Sequence, residues 1–179
     1  TYCFEGDVNG CKDTVKVIVN GCIPTMSLGN LVWIDTNNNG IKDANETGIP
    51  NVQVVLYNVG TDGVKDSTDV IVATTTTNAN GNYMFNALDA GNYYVKVTGQ
   101  GVPTGMVSST GGGIYDADGA GTFEPSTSTA DNTDRGTAMV GTPMIMSDIV
   151  NLGTGVVDTT VDFGLYTPTP TSSLGNLVF

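Results

Sequence analysis

Oxygen-bearing groups recur at fixed spacing in Asp35-Thr36-Asn37-Asn38-Asn39-Gly40-Ile41-Lys42-Asp43-Ala44-Asn45-Glu46. They stand at the first, third, fifth, ninth and twelfth places, with Gly40 at the sixth, which is the spacing of a calcium loop. Calcium is a hard cation that takes about six to eight oxygen ligands. Asp35, Asn37 and Asn39 would therefore offer side-chain oxygens and Ile41 its backbone carbonyl. Asp43 would bind directly or through water, and Glu46 would close the shell with both carboxylate oxygens. Gly40 permits the sharp bend at the sixth place. Three of these ligands are ionised, so their mutual repulsion would be relieved by the ion.

The flanking segments decide what kind of calcium loop this is. An EF-hand sets its loop between amphipathic helices, but residues 28–34 and 52–57 are short runs rich in Val, Ile and aromatics, bounded by Gly, Asn and Pro. Both read as strands. Further strands are expected at 70–73, at 81–88 and 91–97, at 145–152 and at 160–166. Val52, Val54 and Leu56 would face one way, as would Tyr93, Val95 and Val97, and then Val161, Phe163 and Leu165. Tyr83 and Phe85 are also expected on the buried face. Residues 99–136, rich in Gly, Ser, Thr and Asp, read as one long excursion, and loops of that length are usually functional, disordered or tied down by a ligand. Trp33 is expected to pack beside the calcium loop. The sequon Asn45-Glu46-Thr47 lies inside the loop, where a ligand role for Glu46 is the better reading.

Composition narrows the function classes. The chain has 179 residues, 18 acidic against 6 basic, no histidine and a formal net charge of −12. No basic patch can form, so nucleic acid is not an expected partner. Without histidine there is no Ser-His pair, and the clustered carboxylates are better explained by the calcium loop, so no enzyme activity is expected. Helix periodicity is missing and the chain reads as all-β. It begins at Thr1 and carries no apolar run long enough for a signal peptide or a membrane span, which reads as a processed chain or an excerpt.

Cys3, Cys11 and Cys22 all fall in the first 22 residues. That clustering suggests a disulfide-bearing piece of another domain in an oxidising compartment, with Cys3 and Cys11 across a hairpin turn and Cys22 left over. Residues 1–25 accordingly read as the terminal hairpin of a preceding immunoglobulin-like domain plus linker, and 26–167 as the main domain. Residues 168–172 read as a stiff Pro/Thr linker. The last seven residues, Ser-Leu-Gly-Asn-Leu-Val-Phe at 173–179, repeat Ser-Leu-Gly-Asn-Leu-Val-Trp at 27–33 with one change. They would be the first strand of a next repeat.

Three segments carry a family resemblance: LGNLVWIDTNNNGIKDANETGIPNVQVVLYN at 28–58, ANGNYMFNALDAGNYYVKV at 79–97 and DTTVDFGLY at 158–166. In order and spacing they resemble the SdrD B-like repeats of bacterial surface proteins, within the prealbumin/Cna-B-like β-sandwiches. The resemblance implies a calcium-binding β-sandwich that strings into an extracellular stalk or fibre on the cell surface, with neighbouring repeats as its partners. It places ligands on Asp35, Asn37, Asn39, Asp43 and Glu46. It also suggests a second metal site in the long acidic loop, where Asp116, Asp118, Asp131 and Asp134 lie. Some related domains carry a Lys-to-Asn/Asp isopeptide bond. Lys96 is out of phase with its buried neighbours, so none is expected here. An adhesive module for a host protein or glycan is the competing reading, and self-assembly by strand addition through 174–179 is a further expectation.

Overall fold

A computed structural model of the chain describes residues 26–109, 133–138 and 144–169. The expected hairpin at 1–25 with its three cysteines, and the repeated strand at 173–179, lie outside the described residues.

In chain order the strands are β1 (Met26–Ile34), β2 (Gln53–Asn58), β3 (Val70–Thr76), β4 (Asn82–Leu88), β5 (Gly91–Val97) and β6 (Val107–Ser108). There follow β7 (Gly136–Ala138), β8 (Ile145–Ser147), β9 (Val150–Leu152), β10 (Val157–Asp158) and β11 (Phe163–Tyr166). They form two sheets. The first is built on β1, which pairs with β4 antiparallel and, on its other side, with β10 and then β11 in parallel. β6 extends this sheet beyond β11. The second sheet runs β3-β2-β5-β8-β7, with all neighbours antiparallel, and β9 pairs with the start of β5.

Period-two alternation explains the core. Val52, Val54 and Leu56 point inward, as do Val95 and Val97, and all five are fully buried with Tyr93 beside them. From the other sheet Leu28, Val32, Tyr83, Phe85, Val161, Phe163 and Leu165 meet them. Burying a side chain of this size contributes about 1.5–3 kcal/mol. The Tyr83 hydroxyl keeps its hydrogen bond inside the core by donating to the Val161 carbonyl at 2.6 Å. Trp33 is fully buried, as expected of a packing residue. Its ring lies where a side chain at 164 would stand, since a Cβ there would come within 2.9 Å of Trp33, which is why β11 carries glycine at that point.

Two expectations are corrected. The excursion 99–136 does contain strand, because Val107–Ser108 pairs with Tyr166 and Leu165. The expected strand 145–152 is split into β8 and β9, and Ser147 Oγ, which accepts from the Val95 N–H, is bonded to the carbonyl of Asp148 where the chain turns. Tyr94, out of phase with the core, is nonetheless buried. It stacks on Tyr57 at 4.9 Å across the outer face, with the ammonium groups of Lys65 and Lys96 each 5.9 Å from a ring of the pair. Burial pulls the Lys65 pKa down, against the opposing pull of Asp148.

Candidate metal centre

The loop begins where two parallel strands end. Asp35 N–H donates to the Leu165 carbonyl at 2.8 Å, so the first loop position is fixed by β1 and β11 together. At the exit, Ile34 N–H donates to the Thr47 carbonyl at 2.9 Å and Gly48 bridges to Trp33. Residues 35–46 are therefore a closed bulb on one strand end. Inside it the backbone turns through left-handed conformations at Asn38, φ 55°, and Gly40, φ 75°. Glycine alone reaches the second without strain.

The acidic side chains point into the bulb. Asp35 is fully buried, and its carboxylate accepts from Asn39 N–H at 3.1 Å and Gly40 N–H at 2.7 Å. Glu46 is also buried, and its two oxygens accept from Thr36 N–H at 2.6 Å and Asp43 N–H at 3.0 Å. Half-exposed Asp43 takes the Asn37 and Asn39 amides on one oxygen, at 2.8 and 3.2 Å. The Asn37 and Asn39 side-chain carbonyls cap Asn39 and Ile41 N–H groups. The Ile41 side chain is 52% exposed, which leaves only its main chain to act in the loop. Lys42 folds back so that its ammonium reaches the carbonyls of Asp43 and Glu46 at 2.9 and 2.5 Å.

Both described ends of the long excursion return to this bulb. Ser109 Oγ donates a short hydrogen bond to Asp35 and reaches Asn38 Oδ1 at 3.1 Å, while Ser109 N–H donates to Gly164. From the other end Thr133 bridges Ile41, and Asp134 N–H donates to the Gly40 carbonyl at 2.7 Å. Asp134 in turn bridges Asp162 in parallel. Asp134 is fully buried: one oxygen accepts from Gly136 and Gly164 N–H at 3.0 Å each, and the other is buried without a hydrogen bond. Burial pushes its pKa from 3.8 to about 8, against the pull of the two N–H groups, with the charges of Asp35 and Asp162 adding to the rise.

The structure thus brings Asp35, Asn37, Asn39, Ile41, Asp43 and Glu46 into one loop and sets Asp134 against it. Asp116, Asp118 and Asp131 lie outside the described residues. The donor set suits a hard cation in type, spacing and charge. The orphaned Asp134 oxygen beside Asp35 is the kind of buried acceptor that a cation would satisfy. As the side chains stand, no three acidic groups among the described residues are close enough to enclose an ion. They are held by the loop's own N–H groups, and binding would exchange those bonds for the metal.

Ser109, Thr133 and Asp162 were not legible as parts of this site. Asp162 alternates with the inward Val161 and Phe163, so a period-two reading sends it outward. The bridge to Asp134 buries it instead.

Comparison with known proteins places residues 26–165 within the SdrD B-like domain profile. The chain is 40% identical over 124 residues to serine-aspartate repeat-containing protein E of Staphylococcus aureus strain USA300, a match covering 64% of this chain and 10% of that protein. It is 45% identical over 101 residues to bone sialoprotein-binding protein of S. aureus strain MRSA252, covering 51% of this chain and 8% of that protein. The chain therefore spans about a tenth of the length of these relatives.

Proposed function

Since the chain belongs to the SdrD B-like domain family, we propose that it serves as an extracellular structural repeat of a bacterial surface stalk or fibre, stiffened by calcium and without enzymatic activity. The observation that carries this reading is the bulb at residues 35–46. It holds a calcium-loop donor set and ties together the end of β1, the end of β11 and both described ends of the excursion.

Asp35, Asn37, Asn39, Asp43, Glu46 and the Ile41 carbonyl would hold the ion, and Asp134 is the described residue placed to contribute to a second. Bound there, calcium would supply divalent charge against which clustered carboxylates are neutralised. The rest is the work of the chain. Asp35 couples the loop to β11, Glu46 closes the bulb on Thr36, and Gly40 carries the loop onto Asp134. A domain clamped at these points resists end-to-end extension and proteolysis. Neighbouring repeats of the same polypeptide are its natural partners. The adhesive alternative would have to be carried by the excursion, most of which lies outside the described residues.

Differential calorimetry with calcium and with excess chelator tests the reading. Ligand at about a hundred times its dissociation constant stabilises a fold by about 2.7 kcal/mol, or on the order of 10 °C in Tm for a domain of this size. Asp35→Ala combined with Glu46→Ala should mimic the chelator in calcium. Superimposable melting curves with and without chelator would remove calcium from the proposal.

A further inference from the structure

Of the four Asn-Gly dipeptides in the sequence, those at 9–10 and 20–21 lie outside the described residues, Asn39-Gly40 belongs to the same loop, and Asn80-Gly81 lies in the turn before β4. Asparagine followed by glycine is the sequence most prone to loss of the side-chain amide, because no Cβ shields the following nitrogen. The Gly40 nitrogen, once deprotonated, would attack Asn39 Cγ. The new N–Cγ bond expels Nδ2 as ammonia and closes a cyclic imide. One water then opens either imide carbonyl, leaving aspartate or isoaspartate, and no redox partner is needed.

Both glycines are demanded by the fold. Gly40 has φ 75°, and Gly81 has φ 81° with a Cβ position only 2.4 Å from the Val32 carbonyl oxygen. Their intrinsic reactivity is therefore matched, and only the surroundings differ. At Asn39 every reacting atom is held. Gly40 N–H, the attacking group, is bonded to the buried Asp35 carboxylate at 2.7 Å, whose charge disfavours loss of that proton. The Asn39 side-chain oxygen, Oδ1, accepts from Ile41 N–H at 2.8 Å, and the leaving side-chain amide donates to Asp43 at 3.2 Å. At Asn80 the Gly81 N–H bonds a neutral carbonyl, that of Asn78, at 2.9 Å. The Asn80 side chain is exposed and has no partner among the described residues.

We propose that, of the two described Asn-Gly sites, Asn39 is a latent deamidation site, silent while the loop is closed and converted when it opens, whereas Asn80 reacts in the folded chain. The protection rests on the hydrogen bonds above and not on the calcium reading. Only its consequence rests on that reading: aspartate at 39 would add a carboxylate at the fifth ligand place, and isoaspartate would lengthen the main chain between the fifth and sixth places.

The test is to hold the full chain at mildly alkaline pH, native and in denaturant, and follow both sites in one peptide map by mass spectrometry, separating aspartate from isoaspartate. Breaking two hydrogen bonds before attack slows a reaction by roughly ten- to a hundredfold, so native Asn39 should lag Asn80 by that factor, and the two should converge in denaturant. Asp35→Ala should speed Asn39 and leave Asn80 unchanged. Because that change empties a buried position, half-exposed Asp43→Ala is the second variant, with a rise of a few-fold expected at Asn39 alone. Equal native rates at the two sites would overturn the proposal, as would an Asn39 rate indifferent to Asp43→Ala in a chain that melts cooperatively.

Discussion

At the scale of single residues, Asp134 sets a pH dependence opposite to that of a carboxylate whose folded pKa is depressed by ion pairing. Its folded pKa is raised by burial from 3.8 to about 8. Between those values the unfolded chain has released a proton that the folded chain retains. The stabilisation is fully present below the unfolded pKa and is lost as pH rises to the folded one. Each unit of separation corresponds to about 1.4 kcal/mol, so a loss on the order of a few kcal/mol is expected across the window. In chelator, the Tm should fall as pH is raised from about 5 to about 8. Asp134→Asn keeps an oxygen for the Gly136 and Gly164 N–H groups and should flatten that slope. A slope that persists in the variant would assign the titration to another group.

At the scale of elements, neighbouring positions on one strand pair differ sharply in what they hold together. Leu56 of β2 is fully buried, so Leu56→Ala should cost about 2–5 kcal/mol by transfer and cavity formation. Ile71 of β3, paired with the adjacent Tyr57, is 58% exposed on the edge of its sheet, so Ile71→Thr should change stability by no more than about 0.5 kcal/mol. Urea denaturation with unchanged m-values separates the two. The contrast also shows where the sequence is readable. β1, β2, β4, β5 and β11 announce themselves because a half-buried strand must alternate, and Val52, Tyr93 and Phe163 lie where alternation puts them. The alternation says nothing about which strand becomes an edge, so the run Val70-Ile71-Val72 looks like core and is exposed. β6 has two residues, too few for any period. Tyr94 is buried because the chain between β2 and β3 carries Lys65 across the outer face to the Ser147 carbonyl, a contact 82 residues distant in sequence.

For the whole molecule, the loop acts as a junction. Its ligand spacing could be read from twelve consecutive residues, whereas its anchoring depends on Ser109, 74 residues beyond Asp35, and on Asp134. Contacts at that separation leave no local periodic trace, which is why Ser109 was invisible in the sequence and Asp134, legible as a candidate ligand of a second site, gave no sign that it underlies this loop. The hydrogen bonds link Asp35 to Ser109, Gly40 to Asp134 and Asp134 to Gly164, so these groups should open as one unit below the free energy of global unfolding. Native-state hydrogen exchange gives the measurement. The Asn39, Gly40, Ser109 and Asp134 amides should share one opening free energy, lower than that of Val95 in the centre of β5. Asp35→Ala should accelerate all four together while leaving Val95 to follow global stability alone. Independent exchange of Ser109 and Gly40 would mean that the excursion only rests against the loop, and then an ion bound at residues 35–46 could not brace the rest of the domain.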